Sequence, residues 1–219
     1  MVFRNRKEAG QMLAKQLRAY ANREDVIVLG VPRGGVPVAF EVATALQAPL
    51  DIFVLRKLGV PGHEELAFGA IASGGSLVLD QRVIEGLDIS DRQIEVVTAN
   101  ERRELQRREL TYRGDRHPLE IEGLIAIVVD DGIATGSSMR AGIQALRQLK
   151  PARIVVAVPV APLATCNRLR LEVDEFVCVH TPQSFYAIGQ FYKDFSQVSD
   201  QEVIELLKQA HRHAVQKVP

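Results

Sequence analysis

The stretch IAIVVDDGIATGSSM, residues 125–139, decides the fold, because an apolar run, two acids and a loop of small residues follow one another directly. The run Ile125–Val129 does not alternate with polar residues, which is typical of a strand covered on both faces. We therefore predict a central strand of a parallel sheet. Asp130 and Asp131 follow at its carboxyl end, where an open α/β sheet places its ligand crevice.

The acidic pair and the loop after it predict a ligand site with two parts. Neighbouring carboxylates repel each other and lose hydration on burial, unless hydroxyl donors or a cation such as Mg²⁺ contact them. The loop Gly132–Ser138 is small and hydroxyl-rich, and it precedes a predicted helix, Met139–Leu149. Backbone N–H groups at such a helix start attract phosphate. An isolated VVDDG would more often be a simple Asp-Gly turn, but the full run favours the ligand site.

A second unit of strand, glycine-rich loop and helix occurs earlier in the chain. The predicted strand Val26–Gly30 is followed by Arg33, Gly34 and Gly35, and then by a predicted helix, Val36–Leu46. Glycine permits backbone freedom and close approach, and arginine can donate charge-assisted hydrogen bonds to phosphate. The alternative is an ordinary loop arginine beside two packing glycines.

With these motifs the chain resembles the type I phosphoribosyltransferases, whose signature is a strand, an acidic pair and a T-G-x-[ST] loop. The longer segments PRGG, RKLGVPGxxELAFGAIA and FYAIGQFYxDFxQVSD resemble a bacterial branch of that family for which the acceptor is not fixed. The resemblance implies that the acidic pair binds the ribose hydroxyls and Mg²⁺ of phosphoribosyl pyrophosphate (PRPP). It implies a 5′-phosphate loop formed by Ala134, Thr135, Gly136, Ser137 and Ser138. It implies a pyrophosphate site formed by Arg33, Gly34, Gly35 and Lys57.

The same resemblance implies that catalysis depends on Asp130, Asp131, Arg33 and Lys57. Hypoxanthine-type members have an aspartate where this chain has Ala134, so no carboxylate in the loop is expected to deprotonate the acceptor.

The region between the two motifs predicts an insertion. A strand, Leu50–Leu55, precedes a Gly- and Pro-rich segment, Leu58–Glu65, which suits a flexible flap over the reacting centre. Phe68–Ala72 and Ser76–Leu79 predict a hairpin. The predicted helix Ser90–Arg113 is dense in Glu and Arg, which indicates a solvated face of salt bridges. The alternative is that Arg102, Arg103, Arg107 or Arg108 contributes to an anion site or a subunit contact.

Aromatic residues concentrate near the C-terminal end of the chain, in FYAIGQFYKDFSQVS, although they form only 5% of the sequence. In phosphoribosyltransferases a hood holds the acceptor base, and Phe185 and Tyr186 are our candidates for stacking on it. The alternative is that these rings pack the hood against the core. An amphipathic helix, Ser199–Val215, follows, with Ser199 and Glu202 spaced as a capping box.

Composition narrows the class of protein and its partners. Lys plus Arg and Asp plus Glu both number 27, so net charge gives no general attraction to nucleic acid or membrane. Cys166 and Cys178 lack metal-site spacing and are expected to be reduced thiols. The N-terminus has no apolar signal core, and no apolar run is long enough to span a membrane, so a cytoplasmic location is expected.

Together these features predict an α/β protein with the type I phosphoribosyltransferase fold, a central parallel sheet flanked by helices, a flap and a hood. We expect one domain over residues 1–219, with its core at about 20–180, an insertion at about 57–118 and the hood and last helix at about 181–219. The expected reaction transfers phosphoribose from PRPP to a nitrogen acceptor, such as a nucleobase, and releases pyrophosphate. The alternative is a non-catalytic sensor of PRPP or nucleotides, and an unrelated nucleotide-binding module is less favoured. A homodimer is one assembly that we consider.

Overall fold

A computed structural model describes residues 1–114 and 119–215, except for the side chains of Glu65 and residues 213–215. The last residues of the predicted insertion, 115–118, and of the predicted hood segment, 216–219, lie outside the described residues. The division of the chain into core, insertion and hood stays a prediction. In the described part the strands are β1 (Val26–Gly30), β2 (Leu50–Ile52), β3 (Leu55–Val60), β4 (His63–Ala72), β5 (Leu77–Leu79), β6 (Ile125–Val129), β7 (Arg153–Val160) and β8 (Glu175–His180). The α-helices are α1 (Arg6–Gln16), α2 (Gly35–Leu46), α3 (Gln81–Gly86), α4 (Asp91–Arg113), α5 (Ser137–Gln148), α6 (Leu163–Arg170) and α7 (Asp200–Val215).

The central sheet has five parallel strands in the order β2-β1-β6-β7-β8. Successive residues of each strand point to opposite faces, so Ile127 packs with α1, α2 and α7, whereas Val128 packs with α5 and α6. Both layers are apolar, which explains why the strand sequences do not alternate with polar residues. The predicted parallel sheet flanked by helices is confirmed.

Strands β3, β4 and β5, which lie within or next to the predicted insertion, form a second, antiparallel sheet in the order β3-β4-β5. The strand predicted for Leu50–Leu55 is wrong in its second half, because the chain leaves the central sheet after Ile52. The buried Val54 instead donates its N–H to Ser73 Oγ at 2.9 Å, and β3 then starts the new sheet. The hairpin predicted from Phe68 to Leu79 is confirmed as β4 and β5.

The predicted flap, Leu58–Glu65, lies in the hairpin of β3 and β4, which turns at Gly62 with a φ of 81°. Its flexibility stays a prediction. The helical spacing of Ala9, Met12, Leu13, Leu17 and Tyr20 predicts a first helix over Asn5–Asn22. The helix α1 is shorter, because it ends at Gln16 and a 3₁₀ turn, Arg18–Tyr20, follows. Helix α3 was not predicted, since its six residues show no apolar periodicity.

Helix α4 begins after a capping box, which Ser90 and Gln93 form. At α7 the Ser199 side chain accepts the backbone N–H of Glu202 at 3.1 Å. Cys166 is buried and Cys178 is half-buried, and both are free thiols, as expected. None of the helices in the described ranges is long and apolar enough to cross a membrane.

Candidate active site

The two loops singled out in the sequence lie side by side because they leave the carboxyl ends of adjacent strands. Gly30, the last residue of β1, pairs with Val129, the last residue of β6. The N–H of Val31 then donates to the carbonyl of Val129 at 2.9 Å, which continues the pairing into the loops. The loop containing Gly34 therefore starts beside the acidic pair.

Gly34 and Gly35 are required for this close approach. A Cβ at Gly34 would overlap the carboxylate of Asp131, and a Cβ at Gly35 would lie 2.7 Å from the carbonyl oxygen of Val129. Gly34 has a φ of −61°, which any residue adopts, so its role here is space rather than backbone freedom. The peptide bond between Pro32 and Arg33 is cis.

Asp131 is enclosed and charge-paired, with an exposed fraction of 8%. Its Oδ2 accepts a hydrogen bond from Arg6 Nε at 2.8 Å, and its backbone carbonyl accepts the hydroxyl of Tyr192 at 2.6 Å. Burial raises the pKa of Asp131, against the hydrogen bond and charge of Arg6, which lower it. Burial likewise raises the pKa of Tyr192.

Asp130 is half-buried and forms no ion pair with any side chain in the described part of the chain. Its Oδ1 accepts the backbone N–H of Asp131 at 2.8 Å. Burial raises the pKa of Asp130 well above its usual range, and the neighbouring carboxylate of Asp131 raises it further. A cation or hydroxyl donor at Asp130 would therefore meet a carboxylate that has no ion-pair partner among the described residues.

Arg6 is the residue of this site that sequence reasoning missed. It is the first residue of α1, after the N-cap Asn5, and its side chain is 11% exposed. It lies 125 positions from Asp131, and no local pattern distinguishes it from the neighbouring basic residues Arg4 and Lys7. Only the packing of α1 against the sheet brings the guanidinium to the acidic pair.

The predicted phosphate loop has the open geometry of an anion site. Thr135, Ser137 and Ser138 are exposed, and α5 begins at Ser137, two residues earlier than predicted. Gly136 has a φ of 79°, a conformation that favours glycine, and it turns the chain into the helix. Backbone N–H groups and hydroxyls therefore meet at one helix start, as phosphate binding requires.

Thr165, in the first turn of α6, hydrogen-bonds the phosphate loop, and the sequence analysis did not predict this role. It is 3% exposed, and its hydroxyl donates to the carbonyl of Ala134 at 2.7 Å. A Cβ at Gly136 would lie 3.0 Å from its methyl group. Arg168, one turn further along α6, reaches the carbonyl of Thr135 at 3.4 Å.

The two predicted pyrophosphate cations occupy different surroundings. Arg33 lies 3.6 Å from Asp200, the first residue of α7, and Asp200 also accepts the hydroxyl of Tyr112 at 2.6 Å. Lys57 is exposed on β3 and lines a cavity of about 790 Å³, shared with Ser138 and residues of α4. The structure therefore brings Lys57 to the phosphate-loop side and Arg33 to the start of α7.

The hood aromatics divide into packed and accessible rings. Phe191 and Tyr192 are buried with Phe3, as the packing alternative expected. Of the two candidates for base stacking, Phe185 packs at 5.4 Å from Phe191, and Tyr186 is 89% exposed. Their contact with a base stays a prediction.

Phe195 is the hood ring that packs on Arg6, the ion-pair partner of Asp131. Its ring lies 4.0 Å from the guanidinium carbon of Arg6 and 5.0 Å from the ring of Tyr192. Gly189 leaves room for it, since a Cβ there would lie 2.9 Å from the Phe195 ring.

The Arg-rich part of α4 is mainly a salt-bridged surface. Arg107 and Arg108 both donate to Glu104, at 2.7 and 2.8 Å, and Arg103 donates to Asn100 at 2.8 Å. The arginines at 107 and 108 lower the pKa of Glu104 to about 2. This arrangement agrees with the expected solvated face.

The acidic pair fits Mg²⁺ only as one side of a coordination shell. The ion prefers six oxygen ligands, many of them from substrate and water. In the ranges described, no group of three or more His, Cys, Asp or Glu side chains could hold a metal. Asp131 is engaged by Arg6, so Asp130 is the more available protein contact.

Comparison with known proteins agrees with this arrangement. The model of the phosphoribosyl transferase domain matches residues 3–195, and the chain therefore belongs to that family.

Particular relatives support the same assignment. A Mycobacterium tuberculosis (strain H37Rv) protein named "Putative phosphoribosyl transferase Rv0571c" is 46% identical over 211 residues, which is 96% of this chain. The chain spans 47% of that relative's length. The crystal structure of TT1426 from Thermus thermophilus has 41% identity and a TM-score of 0.84, covering 95% of this chain and 99% of the other. The AQ2163 protein from Aquifex aeolicus, 13% identical with a TM-score of 0.50 over 84% of this chain and 76% of its own, shares the fold.

Proposed function

We propose that the protein transfers the 5-phosphoribosyl group of PRPP to a nitrogen acceptor and releases pyrophosphate. The observation that carries the proposal is the contact of Gly34 with Asp131, at the sheet edge where the phosphate loop also begins. Three groups suited to pyrophosphate, ribose and 5′-phosphate thus share one edge of the sheet, and membership of the phosphoribosyl transferase family supports the proposal.

In the proposed reaction the bond from ribose C1 to the pyrophosphate oxygen breaks, and a bond from C1 to the acceptor nitrogen forms. Positive charge develops on the ribose ring as the leaving group departs, and the carboxylates of Asp130 and Asp131 favour that charge. Catalysis then depends mainly on positioning and electrostatics. The acceptor loses its nitrogen-bound proton to solvent or to the departing pyrophosphate.

The substrate phosphates would contact the two flanking loops. The N–H groups and hydroxyls of residues 134–138 would bind the 5′-phosphate, as an exposed helix start does. Arg33 would exchange its 3.6 Å contact with Asp200 for the pyrophosphate, and Lys57 would contact the same leaving group from β3. Mg²⁺ held by PRPP oxygens, water and Asp130 would neutralise further charge on the pyrophosphate.

A nucleobase is our proposed acceptor, because the hood above the acidic pair is built from rings. Phe185 and Tyr186 are the proposed stacking residues, and the 89% exposure of Tyr186 leaves its ring accessible to a planar ligand. Ala134 offers no carboxylate, so a base that needs deprotonation by this loop is disfavoured.

The test is a screen of purines, pyrimidines and amines for PRPP-dependent release of pyrophosphate in the presence of Mg²⁺. We expect release with at least one nucleobase, and loss of release in Asp130→Asn. PRPP binding without release for any acceptor would contradict transfer and favour a sensor. Absence of PRPP binding would contradict both.

A further inference from the structure

The side chain of Arg6 makes three contacts with other parts of the chain. Its Nε donates to Asp131, its Nη1 donates to the carbonyl of Ser196 at 2.8 Å, and its guanidinium lies over Phe195. With 11% exposure the side chain is fixed by contacts from two other parts of the chain. A guanidinium keeps its charge under all ordinary conditions and has a rigid donor geometry.

We infer that Arg6 is a positioning residue for PRPP, which orients the carboxylate of Asp131 and neutralises one of the two acidic charges. This inference rests on the proposed function. Arg6 bonds Oδ2 of Asp131, whereas Oδ1 has no hydrogen-bond partner among the described residues. The orientation fixed by Arg6 therefore leaves one oxygen of Asp131 for a ribose hydroxyl.

Arg6 also lowers the negative charge that PRPP would meet at the acidic pair. PRPP carries several negative charges, and two unpaired carboxylates would repel it at short range. With Arg6 beside Asp131, the group of Arg6, Asp130 and Asp131 carries a net charge of about −1 when both acids are ionised. Two carboxylates can thus face the ribose diol at a lower electrostatic cost.

Arg6 also links the acidic pair to the hood. Ser196 and Phe195 belong to the segment before α7, and both contact the guanidinium. One face of the Phe195 ring is therefore covered by a cation rather than open to a base. Loss of Arg6 should loosen the hood next to Asp131 as well as the carboxylate itself.

The test compares Arg6→Gln and Arg6→Lys with wild type by calorimetric titration of Mg²⁺ and PRPP. We expect the Kd of Arg6→Gln to rise at least about tenfold, since a charge-assisted hydrogen bond is lost. Arg6→Lys keeps the charge without the forked geometry and should recover part of the affinity. If Arg6 only stabilised the fold, both variants would lose thermal stability, but their PRPP affinities would not decrease in the order wild type, Arg6→Lys, Arg6→Gln.

Arg4→Gln is the matched control, because Arg4 is two residues away, 73% exposed on its side chain and paired only with Glu8 among the residues described. Its PRPP affinity should equal that of wild type. A crystal structure of Arg6→Gln without ligand should show the Asp131 carboxylate rotated, a result that does not depend on turnover.

Two results would separate the possible failures. Wild-type affinity or tighter binding in a folded Arg6→Gln variant would overturn the role of Arg6 and leave the proposed function standing. Absence of PRPP binding in the wild type would instead overturn the proposed function, and an unrotated Asp131 in the ligand-free variant would then contradict the positioning role independently.

Discussion

The acidic pair and the phosphate loop follow the same strand, but they are built in opposite ways. Asp131 is buried and held by Arg6 and Tyr192, whereas Thr135 and Ser137 are exposed. The exposed donors of the loop come from a strand end, a glycine with positive φ and a helix start, which are local features, and Thr165 of α6 adds one hydrogen bond to the loop. The acidic pair needs partners from distant parts of the chain, because buried charge must be compensated. Substitutions in the two places should therefore differ in their effect on folding.

The largest expected effect is on ligand affinity, in the double variant Asp130→Asn with Asp131→Asn. Its affinity for Mg²⁺ and PRPP should fall at least about 100-fold, because two charge-assisted hydrogen bonds to the ribose are lost. Calorimetric titration measures the affinity, and circular dichroism checks that the variant is folded. Unchanged affinity would remove the ribose role.

The single variants Asp130→Asn and Asp131→Asn should differ in their free energy of unfolding. Asp131→Asn should lower the free energy of unfolding by about 2–3 kcal/mol, because it leaves the buried Arg6 without a counter-charge. Asp130→Asn should change it by less than about 0.5 kcal/mol or increase it, since Asp130 has no ion pair among the described residues. Urea unfolding measures both, and equal losses would contradict the difference in pairing.

The glycine loop should tolerate a methyl group poorly. Gly35→Ala places Cβ 2.7 Å from the carbonyl of Val129 and 2.8 Å from Cα of Asp130, so it should cost about 1–3 kcal/mol. Gly86→Ala is the control, because no atom of the described residues lies within 4 Å of its Cβ position. Thermal unfolding of the two variants measures the difference. A Gly35→Ala protein as stable as wild type would show that the loops can separate.

The smallest effects on stability are expected in the phosphate loop. Thr135→Ala with Ser137→Ala should change the free energy of unfolding by less than about 0.5 kcal/mol, because both side chains are exposed. Its PRPP affinity should still fall by up to about tenfold. Thr165→Ala should instead cost about 1–2 kcal/mol, since it removes a buried hydrogen bond to Ala134. A larger stability loss in the Thr135→Ala, Ser137→Ala variant than in Thr165→Ala would contradict this difference between the exposed loop and its buried hydrogen bond.

The same contrast explains what the sequence could predict. Strands β1 and β6 begin and end at the predicted residues, because uninterrupted apolar runs and adjacent turn residues fix a strand locally. The glycine loop and the phosphate loop are also local, and their positions at adjacent strand ends follow from the parallel order.

The parts that the sequence did not predict all depend on tertiary contacts. Arg6, Thr165 and Asp200 reach the site from three helices, and the spacing of residues carries no signal for such pairs. The end of β2 at Ile52 was not predicted, because Phe53 and Val54 are as apolar as the strand residues before them. In the structure the backbone N–H of Val54 donates to Ser73 and not to a strand of the central sheet. Tertiary contacts here override the local preference.

The most direct test of the shared PRPP site is a crystal structure of the protein soaked with Mg²⁺ and PRPP. We expect the ribose hydroxyls to lie within hydrogen-bond distance of Asp130 and Asp131, with the 5′-phosphate against the N–H groups of residues 134–138. PRPP bound only in the cavity between β3 and α4, with the acidic pair unoccupied, would contradict it.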